Sequence, residues 1–345
     1  MKSRMKRLAS LALLPLAAVT LHPVLAAEEV NIYSYRQAFL IKPMLDAFTE
    51  QTGIKANVLF AKEGLIERLE NEGQNSQADM VLTADTGTLF DVVNRGLTQP
   101  IQSGLLDTNI PAQYRDPAHN WYALTTRSRI VYASKERVKP GELQTYEDLA
   151  DPKWKGRICT RSGKHSYNLS LIGSMIAQHG EAGAEAWLEG VKANLARKPQ
   201  GNDRAQVKAV KEGVCDLAIG NTYYFGKMLH NTKEPEQIEW ANSVNLIFPN
   251  QADRGAHMNI TGAAVAKYAP NKDNAVKLLE YLSDSKAQEM YAQINYEFPV
   301  KPGTPLTGLV QERMSNFKAD SLSLATIAEN RSKAAKLVDK VQFDH

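Results

Sequence analysis

Two adjacent phenols, Tyr223 and Tyr224, sit in the run Asp216-Leu-Ala-Ile-Gly-Asn221-Thr-Tyr-Tyr-Phe-Gly226. In a strand, adjacent side chains point to opposite faces; at a helix start they diverge by about 100°, so both oxygens can reach one point. The apolar stretch ends near Asn221, which puts the pair at such a start. Unpaired backbone N–H groups there favour phenolate over phenol. A phenol with a pKa near 10 yields its proton to a hard trivalent cation such as Fe³⁺ more readily than to Ca²⁺ or Zn²⁺. Alone, however, such a pair is more often ordinary packing with solvated hydroxyls.

The segment Arg161-Ser-Gly-Lys-His-Ser-Tyr167 occupies the same kind of strand-to-helix position. A third phenolate from Tyr167 would set three negative charges against the three positive charges of ferric iron, whereas a divalent ion would leave a buried anionic cluster. His165 reads as a surface histidine beside Lys164 rather than a ligand. In Ser34-Tyr-Arg36-Gln-Ala, Arg36 ends the first strand and offers a planar fork for an oxyanion; a solvated charge is its plainer reading.

The elements that must position these groups are legible from periodicity. Val30 to Tyr35 alternates as a strand, and Ile41, Met44, Leu45 and Phe48 mark a helix stopping at Gly53. Strand, helix, strand and helix follow at residues 54–60, 65–69, 80–83 and 89–93. A second set begins with the strand Arg157-Ile-Cys-Thr160; helices follow, marked first by Leu169 to Ile176, then by Trp187, Val191 and Leu195, then by Val207 and Val210, and a strand returns at Leu217-Ala-Ile219. Such alternation predicts open, mainly parallel sheets covered by helices on both faces, and therefore two α/β lobes. Two extended segments, Leu124 to Tyr132 and His257 to Ala266, are spaced to cross between lobes, and the chain becomes mainly helical from about Ala275. Ligands in open α/β sheets bind beyond the carboxyl ends of the strands, so a site between the lobes is expected.

Lys2, Arg4, Lys6 and Arg7 precede an apolar run, and Val24-Leu-Ala26 supplies the small residues of a signal-peptidase site, so cleavage is expected near Ala26. Of 41 basic residues four lie in that segment, leaving 37 against 38 acidic ones in the mature chain. That near-neutral balance gives no support for nucleic-acid binding or for anchoring on anionic lipid. About 319 mature residues suit two lobes better than one core. Export makes a Cys159–Cys215 bridge permissible, but spacing alone leaves it open. Enzyme signatures fail. Gly163-Lys164 lacks the earlier glycine of a P-loop and is followed by His165; Ser283-Asp-Ser-Lys286 has the Ser-x-x-Lys spacing of penicillin-interacting hydrolases without its companion motifs.

Taken together, Asn31-Ile-Tyr-Ser-Tyr-Arg36, Gly53-Ile-Lys55, Ala78-Asp79, Leu149-Ala-Asp-Pro-Lys-Trp-Lys-Gly156, Arg161-Ser-Gly163, Ala193-Asn-Leu-Ala-Arg-Lys-Pro199, Gly220-Asn-Thr-Tyr-Tyr224, Ile260-Thr-Gly262 and Asn295-Tyr-Glu-Phe-Pro299 resemble the periplasmic ferric-ion-binding proteins of bacterial iron(III) ABC importers. The resemblance implies the two-lobed type II periplasmic-binding-protein fold, each lobe an open mixed sheet flanked by helices, with hinge strands between. The expected division is 1–26 signal peptide, 27–125 plus 258–305 first lobe, and 126–257 plus 306–345 second lobe. It further implies a non-catalytic, monomeric receptor in the periplasm that holds Fe³⁺ through Tyr167, Tyr223 and Tyr224. Some members add a histidine and a tyrosine where this chain has Gln37 and Ala38. The departure points to the subgroup that completes the shell with carbonate or bicarbonate, held by arginines matching Arg36 and Arg127. Glu63, Gln37 and Tyr35 are further candidates; for Glu63 the plainer reading is a helix N-terminal charge. The implied partners are an inner-membrane permease and its ATPase. A small organic or oxyanionic solute such as a polyamine, thiamine or phosphonate is the competing cargo.

Overall fold

The computed structural model describes residues 28–345; the expected signal peptide and its cleavage site lie outside the described residues. Nine strands form one curled sheet: β1 Glu29–Ser34, β2 Lys55–Phe60, β3 Met80–Thr83, β4 Tyr122–Ser134, β5 Ile158–Cys159, β6 Leu217–Asn221, β7 Val244–Ile247, β8 Met258–Val265 and β9 Phe298–Pro299. The order is β2-β1-β3-β8-β4-β6-β5, with β7 and β9 also paired to β4. The sequence suggested mainly parallel sheets. Pairing is parallel only for β1 with β2, β1 with β3 and β5 with β6; every pairing made by β4 or β8 is antiparallel. Those two strands cross the middle of the molecule instead of belonging to a βαβ unit, which alone forces parallel pairing.

Strand β4 exchanges partners along its length. It runs beside β8 as far as Ser128 and beside β6 from Arg129 onward. All 13 of its residues are buried, and residues on the two sides of this exchange feed separate cores. One gathers Val30, Ile32, Met44, Phe48, Leu89, Ile260 and Leu278; the other gathers Val131, Trp154, Leu171, Ile172, Trp187 and Leu217. The C-terminal stretch touches both: Leu324 packs into the first core, while Leu337, Val338 and Phe343 pack into the second.

Helices supply the apolar faces that close these cores. The helix Ala38–Thr52 buries Leu40, Ile41, Met44, Leu45 and Phe48 along one stripe and stops at Gly53, whose φ of 75° is left-handed. The span Ser166–Ala193 is interrupted at Gly180, where φ is 70° and ψ 173°, giving the two helices that the sequence suggested. Leu195, assigned to the second of them from its spacing, instead lies past the helix end and bridges to Ile158. Cys159 and Cys215 form a buried disulfide. It joins the end of β5 to the turn before β6, two strands that pair side by side.

Candidate functional site

Both tyrosine positions follow directly from β5 and β6. Beyond β5 the chain turns at Arg161–Lys164 and enters its helix at Ser166, so Tyr167 is the second helical residue. Beyond β6 the helix Tyr223–Leu229 begins with the paired tyrosines. Because β5 and β6 are parallel neighbours, both helix starts emerge at the same end of the sheet. The hydroxyls of Tyr167 and Tyr223 lie 3.3 Å apart, and the rings of Tyr223 and Tyr224 overlap with centroids 4.2 Å apart. The three residues proposed from sequence as one group are therefore one group.

Around them the charge is positive. The guanidiniums of Arg161, Arg127 and Arg129 lie 5.4, 5.7 and 5.9 Å from the Tyr167 ring centre. Burial, then the nearby phenols, push the Tyr223 hydroxyl well above the usual phenol range, against the pull of Arg127. Burial and the charge of Tyr167 likewise raise Tyr224. In the free protein these two groups are neutral phenols at physiological pH. Three phenolates so close together require a cation of high charge at their oxygens.

The arginines come from other elements. Arg36 follows β1 and is 2% exposed; Arg127 lies within β4 and is 0% exposed. A single hydroxyl, Thr261 Oγ1 on β8, accepts from Arg36 Nη1 at 2.6 Å and from Arg127 Nη1 at 3.0 Å. Arg36 Nη2 pairs with the carboxylate of Glu297 at 2.5 Å. Burial opposes its charge, but Glu297 outweighs that and holds the guanidinium above its ordinary pKa. Arg36 Nε and both Nε and Nη2 of Arg127 are buried without a partner. An unmet buried donor costs on the order of 1–3 kcal/mol and more when charged, so these N–H groups mark where an acceptor belongs.

Other candidates stand apart. The Tyr35 hydroxyl accepts from the backbone N–H of Ile66 at 2.8 Å and so caps the next helix. Gln37 is exposed at the start of the helix Ala38–Thr52 and makes no capping bond through its side chain; Glu63 is exposed in the loop before the helix Leu65–Glu72. His165 is not the surface residue expected: it is half-buried, and its Nδ1 accepts from Tyr167 N at 3.2 Å as an N-cap. Burial, with Arg161 and Arg129 nearby, keeps it well below the usual imidazole range. Ser283 is buried and bonded to Asn109 Nδ2 and Glu280 O, which disarms the Ser-x-x-Lys match. Among the described residues, no three His, Cys, Asp or Glu side chains converge as a metal site.

Sequence reasoning assigned no role to Thr261, Glu297, Arg129 or Asp203. Arg129 donates to Asn168, next to Tyr167, to Asn221, just before the Tyr223–Tyr224 pair, and to Asp203, which opens the separate helix Asp203–Lys211. Asp203 also holds Arg161 at 3.1 Å. The one local signal was a lone acid in the apolar context Tyr296-Glu-Phe-Pro299.

A family model described as bacterial extracellular solute-binding protein matches residues 75–321. Iron uptake protein A1 of Synechocystis sp. is 43% identical over 314 residues, covering 91% of this chain and 87% of that protein. The apo ferric ion-binding protein A of Pasteurella haemolytica superposes with a TM-score of 0.89 at 51% identity, over 92% of this chain and 99% of that one. A Trichodesmium protein solved in complex with iron and citrate superposes at 0.85 with 42% identity, over 91% and 99%. The chain belongs to the bacterial extracellular solute-binding protein family, has the type II periplasmic-binding-protein fold of these neighbours, and groups with the ferric-ion-binding proteins.

Proposed function

We infer that this protein captures Fe³⁺ for import. The phenolates of Tyr167, Tyr223 and Tyr224 bind the ion, and carbonate or bicarbonate on Arg36 and Arg127 completes its shell. The observation that carries the reading is the meeting of three phenols with two buried arginines that have N–H groups to spare. Phenolate is a hard anionic donor suited to ferric iron, and three of them neutralise it. The arginines then balance the anion. The shift of β4 from one core to the other supplies a strand about which two lobes can close, excluding water from the ion. An exported receptor of this family delivers its cargo to an inner-membrane ABC permease, and the relatives' names as iron-uptake and ferric-binding proteins support iron as that cargo. No step of bond making in a substrate is required of any residue.

Adding ferric iron with bicarbonate to stripped protein is expected to produce a visible phenolate-to-iron charge-transfer band. Tyr223→Phe and Tyr224→Phe should each lower affinity by on the order of a thousandfold, beyond the 10–100-fold typical of groups behind a ligand. A colourless mixture, or variants that bind as well as the parent, would sink the reading. Native mass spectrometry of gently purified protein separates it from the organic-solute alternative by the mass of the adduct.

A further inference from the structure

The two arginines are not equivalent, and the difference originates in Glu297. The five residues Tyr291–Asn295 wind as a wide helical turn, and Tyr296 adopts a left-handed backbone at φ 59° and ψ 33°. That reversal turns the next side chain inward just before β9, and Glu297 is completely buried. Its Oε2 accepts from Arg36 Nη2 and, at 3.1 Å, from Thr125 Oγ1 on β4; its Oε1 has no partner. Arg127 thus keeps its whole Nε/Nη2 edge, the side-on fork that grips an oxyanion through two parallel bonds. On Arg36 the same edge is already half occupied by a carboxylate of the protein, leaving Nε alone.

Resting on the ferric reading above, we propose that Glu297 sets the anion specificity of the site by acting as a built-in competitor for Arg36. Arg127 takes the incoming oxyanion with two bonds; Arg36 adds one. The carboxylate cancels one of the two positive charges and places an unpaired oxygen beside the anion's pocket. A small, weakly charged oxyanion such as bicarbonate is admitted. A polycarboxylate, which brings more negative charge to the same place, is disfavoured by repulsion from Glu297. An ion pair that only fixed β9 against its neighbours would change stability and leave anion preference untouched.

The test uses mature protein stripped of metal and anion, a fixed amount of ferric iron, and separate titrations with bicarbonate and with citrate, read at the charge-transfer band. Glu297→Gln retains an acceptor for Arg36 but loses the charge. It should shift the ratio of half-saturating citrate to bicarbonate toward citrate by about tenfold, from removing one buried charge near the anion. Thr125→Val keeps the charge but removes the second bond to Oε2, leaving the carboxylate less compensated, and should shift the ratio the opposite way, away from citrate, by about two- to threefold. Thermal unfolding of each variant reports its fold separately, and Thr125→Val decides the matter if Glu297→Gln does not fold. Variants that show the band with an unchanged ratio would overturn the role of Glu297 while leaving the ferric reading intact. A parent protein with no band in either anion would overturn both.

Discussion

The phenols and the guanidiniums of the site reach the same place by different means. The tyrosines sit at the first residues of two helices, carried there by neighbouring parallel strands, and burial holds Tyr223 and Tyr224 above the ordinary phenol range. Arg36 follows β1 and Arg127 lies in β4; both donate to Thr261, and Arg36 also pairs with Glu297. In the proposed ferric site the tyrosine side would change charge on loading, whereas the arginine side would change only partners. Proton release belongs to the first and anion exchange to the second, and each can be perturbed without the other.

Acidification is the strongest way to separate them. Burial raises Tyr223 and Tyr224 above the ordinary phenol value, so both are protonated across the physiological range and must release protons to bind metal. Lower pH raises the cost of that release. Ferric affinity should fall by about a hundredfold per pH unit from these two phenols. Calorimetry in buffers of different ionisation enthalpy would count the protons. Binding without proton release would mean that the tyrosines remain phenols, and the assignment of charge to that side would fail.

The arginine side answers to a smaller change. Arg127→Lys preserves charge and removes the fork, so about tenfold more bicarbonate should be needed for the same band intensity. Arg36→Lys should cost less in bicarbonate, because that guanidinium contributes one free N–H, and more in thermal stability, because Glu297 is buried with it. Equal effects of the two substitutions on bicarbonate would erase the asymmetry between the arginines.

This division explains what could be read from the chain. The phenols are local features: each follows a short apolar strand and opens a helix, and the run of residue types shows both boundaries. The partners of the arginines are not local. Thr261 and Glu297 lie 225 and 261 residues from Arg36, and only the register of β8 with β4 and the turn at Tyr296 bring them in. The same reason hid the antiparallel middle of the sheet, since β4 and β8 find each other across 123 intervening residues or more rather than through a short connection. His165 was misread because its cap to Tyr167 depends on the turn that precedes it.

The smallest expected effect on iron, and a large one on stability, comes from the disulfide beneath the tyrosine side. Cys159 and Cys215 are separated by 56 residues and tie β5 to the start of β6, the strands that deliver Tyr167 and the Tyr223–Tyr224 pair. Closing a loop of that length restricts the unfolded chain by about 4 kcal/mol in the entropic account, and typical bridges deliver about 2–4 kcal/mol. Replacing both cysteines with alanine should therefore lower the unfolding midpoint by several degrees. The strand pairing itself survives, held by the Ile158–Leu217 and Cys159–Ala218 register and by the second core, so the charge-transfer band and its bicarbonate dependence should change little. If the band were lost in a variant that still melts cooperatively, the two tyrosine turns would depend on the bridge for their alignment. The phenol side would then be no more a product of local sequence than the arginine side.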